Sequence, residues 1–397
     1  MRQRALTFVR SETILVVATL LALISCFIVP PDGEYGGYVH VSTISQLCCL
    51  MLVVVGFQRI GVFRRIGASL LRRVHTARGL VLTLISLTFF SSMLITNDVA
   101  LLTFVPFALS VLTMAHMERH AVLVCALMTV GANTGSMLTP IGNAHNLYFK
   151  ALTGMSTGRF LEIMAPYSLL AAVLLVLVTC VVFRGQRITT FDDLDSDSIE
   201  KGVLAPDSSR HQPDSILVKG YGADRRGWRI AVYSAVFLVC VLAVSDIVPL
   251  WVMCVVTAAV MLVCDPRSFR HTDWGLPITF IMFFIFIGNM KRVPEFCHIA
   301  EMFVGDHPLE VSIVSSQVIS NVPTSLLLSG FCDQWVPLII GTNIGGMGTL
   351  IASMASLITY KAYARDYPHS KGRYLGVYTA VSFGFLLAMY ALAVIIL

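Results

Sequence analysis

Charged residues are scarce in this chain, at 13% of its 397 residues against 56% for hydrophobic ones. This balance excludes an ordinary soluble domain and indicates an integral membrane protein. The length allows roughly ten crossings at about 20 residues each. The distribution of the net charge of +5 is explained by the membrane orientation described below, so it does not indicate binding of nucleic acid. Lipid is the expected partner.

Motifs of the common hydrolytic and nucleotide-dependent enzymes are also missing. The sequence contains no HExxH motif and no P-loop. Eight of the ten cysteines lie in or beside apolar runs without metal-type spacing. The other two, Cys297 and Cys332, could pair outside the membrane, although the unpaired state is favoured. The chain is predicted not to be an enzyme, with no cofactor and no metal beyond a coupling sodium ion.

Two polar breaks interrupt apolar segments that are too short to cross the membrane twice. Leu94–Val99 lies within residues 79–114, and Val318–Pro323 lies within residues 311–332. The arms of the first segment would span only about 24–26 Å, less than the roughly 30 Å hydrocarbon core. Each segment is therefore predicted to be a re-entrant hairpin, with two full crossings as the alternative. The remaining apolar runs predict nine full spans, near residues 13–29, 39–57, 120–147, 162–183, 229–247, 249–264, 275–290, 335–360 and 373–396.

The distribution of basic residues predicts the orientation of the chain. With a cytoplasmic N-terminus, 24 of the 28 Lys and Arg residues face the cytoplasm, the exceptions being Lys150, Arg159, Lys291 and Arg292. The first hairpin then opens to the cytoplasm and the second to the outside. Two amphipathic stretches, residues 60–76 and 293–305, predict helices on the inner and outer surfaces.

The same order of elements occurs twice, in opposite orientations. Residues 1–183 are predicted to form the first inverted repeat, residues 184–228 an acidic cytoplasmic linker, and residues 229–397 a connecting span and the second repeat. Aligning 130–147 on 340–357 without gaps gives seven identities in 18 positions. The predicted fold is an all-α polytopic membrane protein with two inverted repeats. Each repeat has a re-entrant hairpin and a broken helix, giving about nine full spans plus two hairpins.

The hairpin tips carry the first group of candidate binding residues. Asn97 and Asn321, each preceded by a hydroxyl residue (Thr96 and Ser320), are suited to cap the second arms. Thr324 follows in the first turn of the second hairpin's second arm. The N-terminus of each second arm would point partial positive charge at mid-membrane, which suits an oxyanion. Capping alone is the simpler interpretation; capping combined with substrate binding is the favoured one.

Two glycine-rich runs, Val130–Gly135 and Ile340–Gly345, and the residues that follow each run supply the second group of candidates. Their glycines make a continuous helix costly and favour a local break. Unwound carbonyls and neighbouring side-chain oxygens are ligands that sodium prefers. Close helix packing through small residues is the alternative. The candidates are Gly131, Asn133, Thr134, Gly135, Thr139, Asn143, Thr342, Asn343, Gly345 and Thr349.

Asp98 is the only acidic residue deep within an apolar segment. Intramembrane carboxylates are energetically costly and usually functional. Asp98 could bind sodium, carry a coupling proton or hydrogen-bond its own hairpin. His145 is a weaker candidate and is interpreted as structural.

These motifs resemble the ion transporter superfamily, which holds divalent anion:sodium symporters, citrate transporters, ArsB arsenite pumps and NhaD sodium/proton antiporters. Thr96–Leu102 is most similar to the Asn-Asp hairpin of the arsenite-pump branch, while Thr139–Asn143 and Ser320–Pro323 recur across the superfamily. The resemblance implies inverted repeats, a homodimer and an elevator motion. Dicarboxylate carriers have Ser-Asn-Thr at both tips, whereas Asp98 follows Asn97 here. An anionic substrate would be repelled unless a cation or proton neutralised Asp98.

The predicted function is secondary active transport of a small anion or oxyacid, such as citrate or a dicarboxylate, coupled to sodium or protons. The alternatives are arsenite or metalloid efflux and sodium/proton antiport. The predicted location is the bacterial cytoplasmic (inner) membrane.

Overall fold

The computed structural model of the chain describes residues 12–71, 74, 76–184 and 223–397, and almost all of them are helical. The principal helices are α1 (Thr13–Ile28), α2 (Val41–Arg59), α3 (Val62–Leu71), α4 (Ala77–Ser92), α5 (Asn97–Met114), α6 (Ala121–Ser136), α7 (Ala144–Thr153), α8 (Thr157–Val182), α9 (Ala223–Val244), α10 (Leu250–Cys264), α11 (Gly275–Met290), α12 (Pro294–Val304), α13 (Pro308–Ile319), α14 (Asn321–Ser329), α15 (Trp335–Gly345), α16 (Met354–Asp366) and α17 (Lys371–Ile396).

This architecture confirms the predicted all-α polytopic membrane fold. Among the described residues, five helices are long and apolar enough to cross a membrane, or six if α11 and α12, which meet at 109°, form one span. Five shorter apolar helices accompany them, including α4, α13 and α15. The predicted spans at 120–147 and 335–360 each consist of two helices with a break between them.

The described part of the chain repeats one order of helices twice. Helices α1–α8 correspond in order to α10–α17, and α9 lies between the two sets. Contacts repeat as well: α4 packs on α6 as α13 packs on α15, and α5 packs on α16 as α14 packs on α7. The first two helices of each half are exchanged, since α1 packs on α11 and α10 packs on α2. The halves therefore interlock rather than fold as separate units.

Two ion pairs occupy equivalent positions in the two halves. At the ends of α2 and α10, Arg59 Nε lies 2.8 Å from Asp265 Oδ2, and both side chains are buried. Just beyond the ends of α11 and α1, Arg292 Nη1 lies 2.6 Å from Asp32 Oδ2, in a half-exposed position. Helices α1, α2, α10 and α11 form one group. Because α1 and α2 run in opposite directions, the two ion pairs join helices at opposite ends of this group.

The predicted surface helices correspond to α3 and α12. Each exposes large apolar side chains, such as Ile66 and Leu70 on α3 and Met302 and Phe303 on α12. An exposed apolar face of this kind suits contact with the lipid boundary.

Buried apolar side chains form two clusters. One joins α4–α6, α8, α13 and α15–α17. The other joins α1, α2 and α9–α11, with contributions from α7 and α14. Helices α7 and α14 therefore lie between the two clusters, next to the hairpin tips.

Most of the predicted linker lies outside the described residues, and the division into domains stays a prediction. Helix α9 begins at Ala223, within the range 184–228 assigned to the linker. Cys297 and Cys332 are both unpaired in the structure.

Candidate functional site

The tip of the first hairpin is held against the break in the same repeat. Asn97 N–H donates to the Gly142 carbonyl at 3.2 Å. Its side-chain Nδ2 donates to Asn133 Oδ1 at 2.9 Å, and its Oδ1 accepts from Asp98 N–H at 2.9 Å. Thr96 precedes the helix but makes no side-chain capping hydrogen bond. Asn97 therefore links the tip to α6. Its side chain also caps the N-terminus of α5 by accepting the Asp98 N–H.

The tip of the second hairpin repeats the main-chain contact. Asn321 N–H donates to the Ala352 carbonyl at 2.9 Å, at the position equivalent to Gly142. Ser320 has φ +74°, a left-handed conformation that is costly for a residue other than glycine. The Ser320 hydroxyl donates to the Ala352 carbonyl at 3.3 Å, and the Thr324 hydroxyl donates to the Ser320 carbonyl at 2.8 Å. The predicted side-chain cap at Ser320 is not formed.

Two predicted ligands hold the breaks to the hairpins through their hydroxyl protons. The Thr139 hydroxyl donates to the Met93 carbonyl at 2.5 Å, and the Thr349 hydroxyl donates to the Gln317 carbonyl at 3.0 Å. These equivalent contacts support the alignment of the two repeats residue by residue. The hydroxyl groups of Thr134 and Thr342 donate to carbonyls of their own helices, so they do not donate to the hairpins.

The two repeats meet through buried amide side chains. Asn133 Nδ2 donates to the Gly346 carbonyl at 3.2 Å, and Ser353 Oγ donates to Asn133 Oδ1 at 3.3 Å. Asn343, the counterpart of Asn133, donates to Asn146 Oδ1 at 2.7 Å. The structure thus brings Asn97, Asn133 and Asn343 into a continuous polar centre. Asn143 is buried at the start of α7 and makes no side-chain capping hydrogen bond.

Sequence reasoning missed Asn146, Ser353 and Gln317. Ser353 aligns with Asn143 in the internal alignment, and Asn146 follows Asn143 by three residues, so both could have been found from the repeat. Gln317 lies one helical turn before Asn321 and is the only amide side chain of its arm, which was the available signal.

Three of the glycines, Gly131, Gly135 and Gly345, do not lie where the chain unwinds, whereas Gly142, Gly346 and Gly348 do. Helix α6 continues through Gly131 and Gly135 to Ser136, and α15 continues to Gly345. A Cβ on Gly135 would lie 2.1 Å from the Phe89 carbonyl oxygen, and one on Gly345 would lie 2.8 Å from Ser316. The prediction that these glycines open the helix is therefore wrong in position. They allow α4 and α13 to approach closely, and the breaks follow at residues 137–143 and 346–353.

This packing predicts unequal effects for two alanine substitutions in α6. A Cβ on Gly131 would meet Ile85 Cγ2 at 3.3 Å, whereas one on Gly135 would meet backbone. Gly135→Ala is expected to cost about 1–3 kcal/mol of stability through overpacking. Gly131→Ala is the matched control and should be near neutral, because the gain in helix propensity of about 1 kcal/mol offsets the tight contact. Equal melting temperatures of the two variants in detergent would contradict the packing role.

Asp98 lies in the first turn of α5 and is half-buried. Its carboxylate makes no hydrogen bond or ion pair with any other residue that the structure describes. The equivalent position in the second repeat is Val322. Asp98 is therefore a carboxylate at one tip only, and it is free to take a proton or a cation as its partner.

His145 lies beside this centre, in the first turn of α7. Its side chain is fully buried, and neither ring nitrogen has a hydrogen-bond partner among the described residues. Phe149 packs edge-on against the ring at 6.5 Å.

The interlocked repeats, paired hairpins and polar centre define a secondary transporter embedded in a membrane. A family model described as "Citrate transporter" matches residues 5–334, and the chain belongs to this family. The match ends just before α15, so the second break lies beyond it.

Two curated relatives share most of this length. The inner membrane protein YbiR of Escherichia coli (strain K12) is 27% identical over 326 residues, covering 80% of this chain and 79% of the relative. The uncharacterized transporter MJ0456 of Methanocaldococcus jannaschii is 28% identical over 322 residues, covering 80% of each chain. These relatives point to transport rather than catalysis, and neither name states a substrate.

Proposed function

We propose that this protein moves a small anion or oxyacid across the membrane, coupled to sodium or protons, by an elevator motion. The observation that carries the proposal is the meeting of two hairpin tips with two helix breaks at one buried polar centre. Helix N-termini at the tips favour an anion. The unpartnered Asp98 carboxylate favours a cation or a proton. A site with both preferences suits the coupled movement of two solutes.

The charges around the centre limit the substrate. None of the described hydrogen bonds at the tips comes from Arg or Lys. The two buried cations among the described residues, Arg59 and Lys150, pair with Asp265 and Asp246. A citrate-like carboxylate would rely on helix N-termini and amide groups, with a co-bound cation offsetting Asp98. This favours a substrate of low net charge, or one that enters with its counter-ion.

A thermal-shift screen of the purified protein tests the proposal. The panel is citrate, succinate, sulfate, arsenite and sodium chloride, each compared with a choline salt of equal ionic strength. A ligand that binds the folded state raises apparent stability by an amount that grows with its concentration. We expect one anion to stabilise the protein, and more strongly when its coupling ion is present. No shift with any member of the panel would count against an anion site.

Sodium/proton antiport is the second candidate, because Asp98 alone could bind the two cations in turn. Proteoliposomes with a trapped pH-sensitive dye separate it from anion transport. Antiport predicts a pH change on addition of sodium without any anion substrate. Anion transport predicts no change until the substrate is added. The proposed setting is a homodimer in the bacterial cytoplasmic membrane, with the N-terminus in the cytoplasm.

A further inference from the structure

One ion pair among the described residues joins the two buried clusters. Lys150 Nζ of α7 lies 2.5 Å from Asp246 Oδ2, in the turn between α9 and α10. Helix α7 also contacts the second cluster, but the short segments 137–143 and 154–156 tie it to α6 and α8 of the first. Asp246 follows α9, which belongs to the second cluster. The other ion pairs of the described residues each lie within one cluster. Movement of the clusters against each other would therefore break this pair and no other of that set.

Both partners of this pair occupy costly positions. The Lys150 side chain is only 5% exposed, and a buried ammonium group needs a counter-charge. Asp246 has φ +61° at the end of α9, a left-handed position at which glycine is the usual residue. Attraction between the two charges offsets these costs only while the residues are in contact. The pair therefore stabilises the arrangement of the clusters in this structure.

The inverted repeat predicts where a counterpart of this pair would lie. Helix α16 corresponds to α7, and α1 corresponds to α10. Lys361 lies on α16, one position after the residue aligned with Lys150. Glu12 precedes α1, as Asp246 precedes α10. Because α10 begins at the end of the four-helix group where α1 finishes, Asp246 and Glu12 lie at opposite ends of that group.

The counterpart pair is open in this structure. Lys361 is exposed and forms no ion pair with another described residue. Glu12 is half-buried and makes no side-chain capping hydrogen bond to α1. Its carboxylate lies beside that of Asp273, since a Cβ on Gly275 would be 3.0 Å from an oxygen of each. Two carboxylates at this separation repel each other unless a cation approaches.

Lys361 is the cation best placed to approach this acidic pair. Burial and the Asp273 carboxylate raise the pKa of Glu12, and the ammonium group of Lys361 acts in the opposite direction. Helix α16 packs on α5 and α6 of the first cluster, so Lys361 moves together with Lys150. Exchanging the conformations of two inverted repeats would open the pair that is closed here and close its counterpart.

We propose that Lys150–Asp246 and Lys361–Glu12 are alternative locks for two end states of the transport cycle, with the first lock closed in this structure. This inference rests on the proposed function, because it requires the two clusters to move against each other. The four residues are positioning residues: they bind no solute, and they act on which end state is populated. Asp273 strengthens the second lock by adding negative charge beside Glu12.

Labelling of lysines in the purified full-length protein tests the inference. A water-soluble acetylating ester modifies exposed amines, and mass spectrometry of the peptides gives a rate for each lysine. Lys150 is buried in this structure, so it should react in the other end state. Glu12→Gln weakens the lock of that state from the opposite end of the group. It should slow labelling of Lys150 about two- to fivefold relative to the exposed Lys291.

Lys361→Gln opens the same lock from its other side and should slow Lys150 labelling to a similar extent. Lys371→Gln is the matched control, because Lys371 is an exposed lysine on α17 of the first cluster and belongs to neither pair. It should leave the Lys150 rate unchanged. If Lys150 reacts too slowly to measure in wild type, the comparison is made in Asp246→Asn protein, in which Lys150 is released.

The effect at a distance separates two linked locks from two local contacts. Local contacts predict that changes at Glu12 and Lys361 do not reach Lys150. An unchanged or faster Lys150 rate, in whichever of the two variants folds, would overturn the proposal.

The proposed function can fail separately. Linked labelling in a protein that accumulates no solute under any gradient would leave the two locks standing and refute coupled transport. Gradient-driven uptake by a protein whose Lys150 labelling ignores both changes would leave transport standing and refute the locks.

Discussion

Gradient-driven uptake is expected to fall to the level of empty liposomes when Asp98 is replaced with asparagine. Asparagine preserves the shape of the side chain but can neither hold a negative charge nor release a proton. If Asp98 carries the coupling ion, the variant can still bind substrate but cannot use the gradient to accumulate it. The measurement is uptake of labelled substrate into proteoliposomes under an imposed sodium or proton gradient, normalised to reconstituted protein.

Val322→Thr provides the matched control for this substitution. Val322 is the equivalent residue at the other tip, is also half-buried, and has no ionisable group. Its replacement with a side chain of similar shape should leave uptake close to that of wild type. Full accumulation by Asp98→Asn would remove Asp98 from the mechanism, and equal loss in both variants would indicate general damage to the tips.

Loss of the buried Arg59 is expected to have the largest effect on stability. Arg59 Nε lies 2.8 Å from Asp265 Oδ2, with both side chains almost completely buried. Arg59→Met leaves the Asp265 carboxylate buried without its partner, apart from the Ser268 hydroxyl at 2.9 Å. Breaking a buried pair from one side typically costs about 3–5 kcal/mol. The measurement is the melting temperature in detergent.

The double variant Arg59→Met/Asp265→Leu distinguishes charge from packing. Removing both charges should restore much of the lost stability, because an apolar pair avoids the cost of burying ions. Arg292→Met at the half-exposed equivalent pair should cost only about 0–1 kcal/mol. Equal losses for Arg59→Met and Arg292→Met would show that burial does not set the cost here.

The architecture could be predicted from sequence because the membrane restricts the choices. An apolar run bounded by charges can form little except a helix, so α11 coincides with the predicted span 275–290. The hairpin tips were located for a related reason, since Asn97 and Asn321 are polar groups that an apolar segment retains only with a partner. The internal alignment then fixed which residues of the two halves correspond.

The roles of individual polar groups could not be predicted in the same way. Thr139 and Thr349 were predicted as sodium ligands from their chemistry, but the sequence could not show that their hydroxyl protons bond hairpin carbonyls. The carbonyl to which a hydroxyl donates depends on which backbone lies within about 3 Å of it. Thr139 and Met93 are 46 positions apart, and Thr349 and Gln317 are 32 apart, so these partners meet only after folding. Gly135 was ambiguous for a similar reason, because the same residue type serves a helix break and a close helix contact.

Gradient-driven accumulation of a labelled substrate by reconstituted wild-type protein tests the central claim most directly. Coupled transport predicts that the internal concentration rises above the external one while the ion gradient lasts. It also predicts that the two concentrations equalise once an ionophore dissipates the gradient. Uptake that stops at equal concentrations with the gradient intact would contradict coupling and would indicate passive passage through the polar centre.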